Sequence, residues 1–175
     1  NILLFCMIKY ALLTNDVETT SIWHNDLRDE TGKKVLEDGM PLLLDIYNKY
    51  NIKSTFFVTA YIAKLYPNIV HMIVNNGHEI ASHGKSHIQK NGFDIMPFQK
   101  QKEHLDYSKK VLEDISGQEV ISFRAPALRV SSLTARALIE TGFKIDSSVA
   151  SQRFDFFLSF GSKNKIRFWF SPRLP

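Results

Sequence analysis

Short apolar segments alternate with amphipathic helical segments along most of this chain, and no other feature limits its possible folds as strongly. Strands are predicted at residues 10–14, 54–59, 78–82, 120–123 and 143–145. Helices are predicted at residues 35–50, 67–76, 97–115 and 132–141, from apolar residues at three- and four-residue spacing and from Pro and Gly at helix ends. Repeated strand–helix units place parallel strands side by side through right-handed crossovers. The pattern therefore predicts an α/β fold, either an open doubly wound sheet or a (β/α) barrel.

Size and composition indicate one ordered domain over residues 1–175. Of these residues, 44% are hydrophobic and 23% are charged, which is typical of a folded globular protein. The net charge of +4 forms no basic block, so nucleic acid is not an expected partner. Cys6 is the only cysteine, so an internal disulfide is excluded. No apolar run reaches the roughly 20 residues of a transmembrane segment.

The apolar residues 2–8 at the start of the chain resemble a short signal-peptide core. They lack a basic region before them and a small-residue cleavage site after them. We interpret them as the approach to the first strand. Secretion stays possible if residues are missing upstream, so the localisation is left open.

Polar residues that can carry chemistry collect where the predicted strands end. The carboxyl ends of parallel strands form one face, and active sites lie on that face in barrels and open sheets alike. The candidates come from four strands: Asp16 and Glu18 after the first, His83 and His87 after the third, Arg124 after the fourth, and Asp146 after the fifth. Their convergence on one rim predicts a functional site there.

His83 and His87 are the first candidates for metal ligands. In a helical turn, residues four apart face the same way, so two imidazoles could bind one cation. Such a pair also arises by chance as two solvated loop histidines. The preceding strand and a carboxylate on the same rim favour the metal site. His78 is predicted to be structural, and the other histidines are predicted to be ordinary surface or helix residues: His24, His71 and His104.

Asp16 and Glu18 lie two residues apart, so in an extended chain both carboxylates point to the same side. Beside one metal ion, one could ligate while the other takes a proton from water; the alternative is a polar loop at a strand end. Arg124 precedes the turn at Pro126 and could fork onto a carboxylate, or form a structural salt bridge. Asp146 could serve the site or act as a cap or turn former.

Four motifs and one strand of this chain resemble the polysaccharide deacetylase family, also called NodB-like or carbohydrate esterase family four. They are residues 13–18 (LTNDVE), 54–58 (STFFV), 77–87 (GHEIASHGKSH), 123–127 (FRAPA) and 142–148 (GFKIDSS). The resemblance implies a distorted (β/α) TIM-like barrel of the NodB deacetylase type. It also implies a divalent metal ion, with zinc as the expected one, and removal of N-acetyl or O-acetyl groups from a carbohydrate such as a cell-envelope polysaccharide.

The resemblance also implies a role for each candidate: metal ligation by His83 and His87, general base for Asp16, orientation of that base by Arg124, and support of a late catalytic histidine by Asp146. The common first motif has adjacent aspartates, but here Val17 takes the second place, which resembles family branches with an Asp-Val-Glu motif. Glu18 is then expected to be the third metal ligand, with the roles of Asp16 and Glu18 open to exchange. A backbone N–H near Ala127 is the candidate donor to an oxyanion.

The chain departs from the family at its C-terminal end. The family's general acid is a histidine in a fifth motif, but no histidine follows His104. We therefore expect the domain to be truncated, with its last strand and this histidine missing from the chain. Two alternative functions stay open: a hydrolase of small cyclic amides or imides on the same scaffold, and a glycan-binding relative or inactive fragment. The oligomeric state is not predicted.

Overall fold

The computed structural model describes residues 11–19 and 27–149. Five parallel strands form one sheet: β1 (Thr14–Val17), β2 (Thr55–Val58), β3 (Glu79–Ser82), β4 (Ser122–Phe123) and β5 (Ile145–Asp146). Within the described residues, each strand pairs with the next one in sequence. A doubly wound sheet would reverse this order at a switch point, so the unbroken order corresponds to part of a (β/α) barrel. The predicted α/β class is confirmed.

The first strand lies later than predicted, at Thr14–Val17 instead of residues 10–14. Its position is set by pairing with β2, which places Asp16 opposite Phe57. Two of the apolar residues that suggested an earlier strand, Leu12 and Leu13, are 92% and 41% exposed. Hydrophobic character alone therefore misplaced the strand, and Asp16 lies within β1 and not after it.

The first helical region also differs from its prediction. Helix α1 (Asp29–Lys34) precedes a π-helical segment (Val35–Gly39) and α2 (Met40–Lys49). The sequence predicts a long polar loop that continues to about Lys33, so α1 was not expected. Gly32 is buried, and a Cβ there would lie 2.7 Å from a ring carbon of Tyr66. The glycine thus allows a close contact that a sequence pattern does not reveal.

The other helices lie between the strands, as the alternating pattern predicts. They are α3 (Ala60–Leu65), α4 (Pro67–Asn75), α5 (Phe98–Ser116) and α6 (Thr134–Glu140). Helix α3 was not predicted; its first turn is capped by Thr59, whose Oγ1 accepts a hydrogen bond from the Ile62 N–H. Helix α5 ends at Gly117, as predicted, in the left-handed conformation with φ +68°. None of the helices in the described ranges is long and apolar enough to cross a bilayer.

The hydrophobic core joins one face of the sheet to the helices that pack on it. Phe56 and Val58 of β2 and Ile80 of β3 are fully buried. The helices contribute further fully buried side chains: Ile62, Ile69, Ile73, Leu105 and Leu112. Each such side chain stabilises the fold by about 1.5–3 kcal/mol relative to an exposed one. This packing fixes the strands and therefore the residues at their carboxyl ends.

Candidate metal centre

Three predicted metal ligands converge at the carboxyl ends of β1 and β3. Glu18, His83 and His87 each offer one possible ligand atom, and these three atoms lie within 4.8 Å of one another. The His87 Nδ1 atom is 3.8 Å from Glu18 Oε2, and the two imidazole rings have centroids 5.7 Å apart. Two ring nitrogens and a carboxylate oxygen are donors that could hold a divalent cation.

The two histidines come together through a loop and not through the helical turn that was predicted. No helix spans residues 83–87, and Gly84 has φ +69°, in the left-handed region. The Gly84 and Lys85 carbonyls accept hydrogen bonds of 3.0 Å from the N–H groups of Ala60 and Tyr61, at the start of α3. The prediction that His83 and His87 lie close together was right. The predicted helical turn was wrong, because hydrogen bonds to the start of α3 hold these residues in a loop.

His83 is buried, and both of its ring nitrogens have a defined environment. Its Nδ1 lies 2.8 Å from the Arg124 carbonyl, which can only accept, so Nδ1 carries the proton. The Nε2 lone pair therefore faces the rim, 4.0 Å from Asp16 Oδ2. Burial lowers the pKa of His83 from 6.5 to about 4, although the nearby Asp16 carboxylate opposes this shift. The imidazole is thus neutral at pH 7, which is the form that binds metals.

His87 contacts the loop that follows β4. The Ala127 N–H donates a hydrogen bond of 3.0 Å to His87 Nε2. This N–H was the candidate oxyanion donor, and in this structure it is directed at the imidazole instead. Ala127 has φ +53°, in the left-handed region, which is uncommon for a residue other than glycine. The loop conformation thus brings this N–H group to His87.

Arg124 was predicted to fork onto a carboxylate; its guanidinium pairs with Asp16, but through one nitrogen only. Its Nη1 lies 2.7 Å from Asp16 Oδ1, and its Nη2 donates to Thr14 Oγ1 at 3.0 Å and to Ser147 Oγ at 2.8 Å. The guanidinium stacks on the Phe57 ring, 4.1 Å from the centroid. One oxygen of Asp16 is therefore held, while the other faces His83.

Asp146 is exposed, and its Oδ1 accepts a hydrogen bond of 2.9 Å from the Ser148 N–H. It therefore forms a turn, which is one of the two interpretations that its sequence allowed. Its neighbours contact the site more directly: Ser147 binds Arg124, and Ser148 Oγ accepts from the Ala125 N–H at 2.8 Å. Sequence reasoning missed both serines, although they stand beside Asp146 in a motif that was noticed.

The other histidines lie away from the cluster. His78 is structural, as predicted: it is buried, and its Nδ1 accepts a hydrogen bond of 3.2 Å from the Ser54 N–H. His71 is exposed in α4, as predicted. His104 lies in α5, but it is buried, so the expectation of an ordinary surface or helix residue was only partly right. His24 lies outside the described residues.

A cavity of about 480 Å³ lies beside β1. Asp16 and Glu18 line it together with apolar side chains from the helical region opposite, including Val35, Met40 and Leu43. The π-helical segment Val35–Gly39 forms part of this wall. The cavity thus has carboxylates on one side and an apolar surface on the other, and it borders the candidate site at Asp16 and Glu18 without being lined by His83, His87 or Arg124.

The sequence model of the family described as polysaccharide deacetylase matches residues 29–145. The chain belongs to the polysaccharide deacetylase family. The matched range contains His83, His87 and Arg124, whereas Asp16 and Glu18 precede it. The structure, and not the family match, therefore shows that these two carboxylates lie beside the matched histidines and Arg124. The resemblance inferred from the motifs is confirmed at the level of the family.

Several curated relatives carry peptidoglycan in their names. The chain is 30% identical over 118 residues to "Peptidoglycan deacetylase" of Helicobacter pylori, covering 67% of this chain and 39% of that protein. It is 45% identical over 47 residues to "Peptidoglycan-N-acetylglucosamine deacetylase" of Bacillus cereus, covering 27% of this chain and 17% of that protein. The chain thus spans well under half the length of either relative.

Solved structures with the same fold include proteins with different described activities. PuuE allantoinase superposes with a TM-score of 0.63 at 22% identity, covering 77% of this chain and 52% of that one. A carbohydrate esterase family four pseudoenzyme from Bacillus anthracis superposes with a TM-score of 0.59 at 16% identity, covering 77% and 42%. These similarities show the NodB-type barrel fold and confirm the prediction of fold class.

Proposed function

We propose that this chain carries the metal centre of a deacetylase that acts on an N-acetylated carbohydrate of the cell envelope. The observation that carries the proposal is the cluster of Glu18, His83 and His87 donor atoms beside the carboxylate of Asp16, which Arg124 holds. The family supports the reaction class. The names of the Helicobacter pylori and Bacillus cereus relatives favour peptidoglycan as the substrate.

The three donors fit a catalytic zinc site. Such sites use three protein ligands of the histidine and carboxylate type and keep further positions open. His83 presents a neutral lone pair, and its other nitrogen is fixed by the Arg124 carbonyl, an arrangement that orients metal-binding histidines. Zinc bonds of about 2.0–2.2 Å place donors roughly 3–3.5 Å apart. The donor atoms of this cluster lie within 4.8 Å of one another, so a closure of no more than about 1–2 Å brings them to these distances.

A bound divalent cation would polarise the acetyl carbonyl and lower the pKa of water toward neutrality. Asp16 then has the position of a general base: Arg124 holds its Oδ1, and its Oδ2 faces the cluster. Because the guanidinium also binds Thr14 and Ser147 and stacks on Phe57, it has little freedom to move. The carboxylate is therefore oriented before substrate arrives.

The Ala127 N–H gains a role when His87 becomes a ligand. It now donates to the Nε2 lone pair of His87. Ligation through Nε2 would occupy that lone pair, and ligation through Nδ1 would move the ring proton to Nε2. In either case the Ala127 N–H loses its acceptor. It is then available to donate to the oxyanion that forms at the acetyl carbon.

A pair of isosteric variants tests the proposal and assigns the two carboxylates. We expect Glu18→Gln to weaken Zn²⁺ binding, because the amide oxygen carries no charge. We expect Asp16→Asn to keep Zn²⁺ binding and to lower acetate release about 10²–10⁴-fold, the usual contribution of a general base. Calorimetric Zn²⁺ titration and acetate release from N-acetylglucosamine oligomers and peptidoglycan measure the two effects. Asp114→Asn, at an exposed position of α5, is the matched control.

The opposite pattern would show that Asp16 ligates and Glu18 is the base. Acetate release that does not depend on metal, or full activity in Asp16→Asn, would contradict the proposal. A cyclic imide is assayed in parallel. Hydrolysis of the imide without hydrolysis of the oligomers would instead support the small-molecule amide hydrolase.

A further inference from the structure

A deeply buried ion pair between Arg129 and Asp94 lies outside the candidate metal centre. Arg129 Nη2 lies 2.7 Å from Asp94 Oδ1, and the two side chains are 10% and 4% exposed. Asp94 lies between the 3₁₀ turn Gln89–Asn91 and α5, and Arg129 follows the turn Pro126–Leu128. The pair therefore joins two loops that lie far apart in sequence.

The same guanidinium makes a second contact that reaches toward the metal centre. Arg129 Nη1 donates to the Gln89 carbonyl at 2.9 Å. Gln89 stands two residues after His87, and Arg129 stands two residues after Ala127. Because the Ala127 N–H contacts His87 Nε2, the two loops are tied at both ends of this short span. Arg129 thus fixes the loop of one candidate ligand against the loop of the oxyanion donor.

Gly92 makes room for this guanidinium. A Cβ at Gly92 would contact Arg129 Cζ and would lie 2.6 Å from both Arg129 Nη1 and Asp94 Oδ1. Cβ atoms in proteins essentially never come this close to other heavy atoms, so any side chain at this position would displace the pair. Gly92 has φ −69°, which every residue adopts, so the requirement at this position is space alone. The absence of a side chain at Gly92 thus leaves the space that the ion pair occupies.

The neighbouring residue connects this segment to the histidine loop from the other side. Phe93 is buried, and its ring packs against Phe123 at a centroid distance of 5.1 Å. A Cβ at Gly84 would lie 3.5 Å from Phe93 and 3.5 Å from Pro126. The segment containing Asp94, the histidine loop and the loop after β4 thus pack as one unit.

We propose that Arg129 and Asp94 are positioning residues that hold the His87 loop against the loop after β4, which keeps the His87 imidazole beside Glu18 and so raises the affinity of the centre for its metal ion. The inference rests on the proposed function. A buried ion pair adds little net stability compared with an apolar pair of similar volume, because desolvation offsets the attraction. The ion pair instead fixes the position of the loop. Arg129 pairs with the Asp94 carboxylate through Nη2 and donates to the Gln89 carbonyl through Nη1, and the planar guanidinium can hold both contacts at once.

The test measures Zn²⁺ affinity by competition with a chelator, alongside unfolding in urea without metal. We expect Arg129→Met to weaken Zn²⁺ binding roughly 10–100-fold, as losses outside the ligand sphere commonly do. We expect Arg129→Lys to restore part of this affinity, because an ammonium can keep only some of the contacts. Arg136→Met is the matched control: it breaks an arginine–carboxylate pair of 2.8 Å on the exposed side of α6 and should leave affinity unchanged.

A double variant separates positioning from folding. Arg129→Met with Asp94→Leu replaces the ion pair by an apolar pair, so it should fold even if the single variant does not. We expect it to bind Zn²⁺ as weakly as Arg129→Met, since the Gln89 carbonyl loses its donor in both. Wild-type affinity in the double variant, or equal losses in Arg129→Met and Arg136→Met, would overturn the inference alone. Absence of Zn²⁺ binding in the unaltered chain would overturn the proposed function and this inference together.

Discussion

Acid should destabilise the metal-free protein through one histidine, His83. Its side chain is 1% exposed, and burial lowers its pKa from 6.5 to about 4. The unfolded chain exposes the same imidazole to water, where its pKa returns to about 6.5. Between these two pH values, the unfolded chain binds a proton that the folded protein does not. Stability therefore falls as the pH falls through this window, and the loss is complete below about pH 4.

The size of the effect follows from the two pKa values. Each pH unit between them is worth about 1.4 kcal/mol. The loss attributable to His83 between pH 7 and pH 4 is therefore about 3 kcal/mol. That is a large share of the roughly 5–15 kcal/mol that stabilises a typical domain. Since the side chain is almost completely buried, solvent screening does not reduce this figure substantially.

The measurement is the free energy of unfolding in urea at a series of pH values from 7 to 4, in the presence of a chelator. His83→Asn is the matched variant, because its amide can still donate to the Arg124 carbonyl but does not titrate. Other groups, including His78 and His104 with their lowered pKa values, titrate in both proteins. Their contribution cancels in the difference between the two curves.

We expect the wild-type protein to lose about 3 kcal/mol more than His83→Asn over this range. Parallel curves for the two proteins would refute the reasoning, because they would mean that the folded state does not resist protonation of His83. Saturating Zn²⁺ should raise the stability of the wild-type protein, and this gain should shrink as the pH approaches 4 if His83 is a ligand, because metal and proton compete for Nε2.

Two further substitutions have expected outcomes. Arg124→Lys removes the fork that binds Asp16, Thr14 and Ser147 together, so kcat for acetate release should fall about 10²-fold with a smaller change in KM, the effect of a misplaced group; a wild-type kcat would contradict this. Gly117→Ala should cost about 1–2 kcal/mol in urea unfolding, because φ is +68° while no atom lies within 4 Å of the added Cβ; an unchanged midpoint would show that α5 does not end in this conformation.

The fold was largely predictable because its strongest signals are local. The buried strand at Thr55–Val58 and the long helix Phe98–Ser116 follow from apolar spacing and from the Gly117 stop. The errors arose where a distant contact decides. The bounds of β1 depend on pairing with β2, and the start of α1 depends on Gly32 packing beneath Tyr66. Hydrophobic periodicity carries no information about either contact.

The candidate site was predictable to the extent that its residues follow strands. Asp16, His83 and Arg124 were found because the carboxyl ends of parallel strands meet at one edge. The roles predicted for the individual residues stay predictions. The Arg129–Asp94 pair could not be found in this way, because its two residues lie in separate loops and neither belongs to a noticed motif. Only the folded chain shows that they meet.

The contact between Asp16 and Arg124 has a consequence for synthesis of the chain. The two residues are 108 positions apart in sequence. At about 5–20 residues per second, a ribosome makes Arg124 roughly 5–20 s after Asp16. During that interval β1 can already pair with β2, whose residues emerge much earlier, while the carboxylate still faces water without its cation. The rim of the nascent domain is therefore completed late, when the strand bearing Arg124 leaves the ribosome.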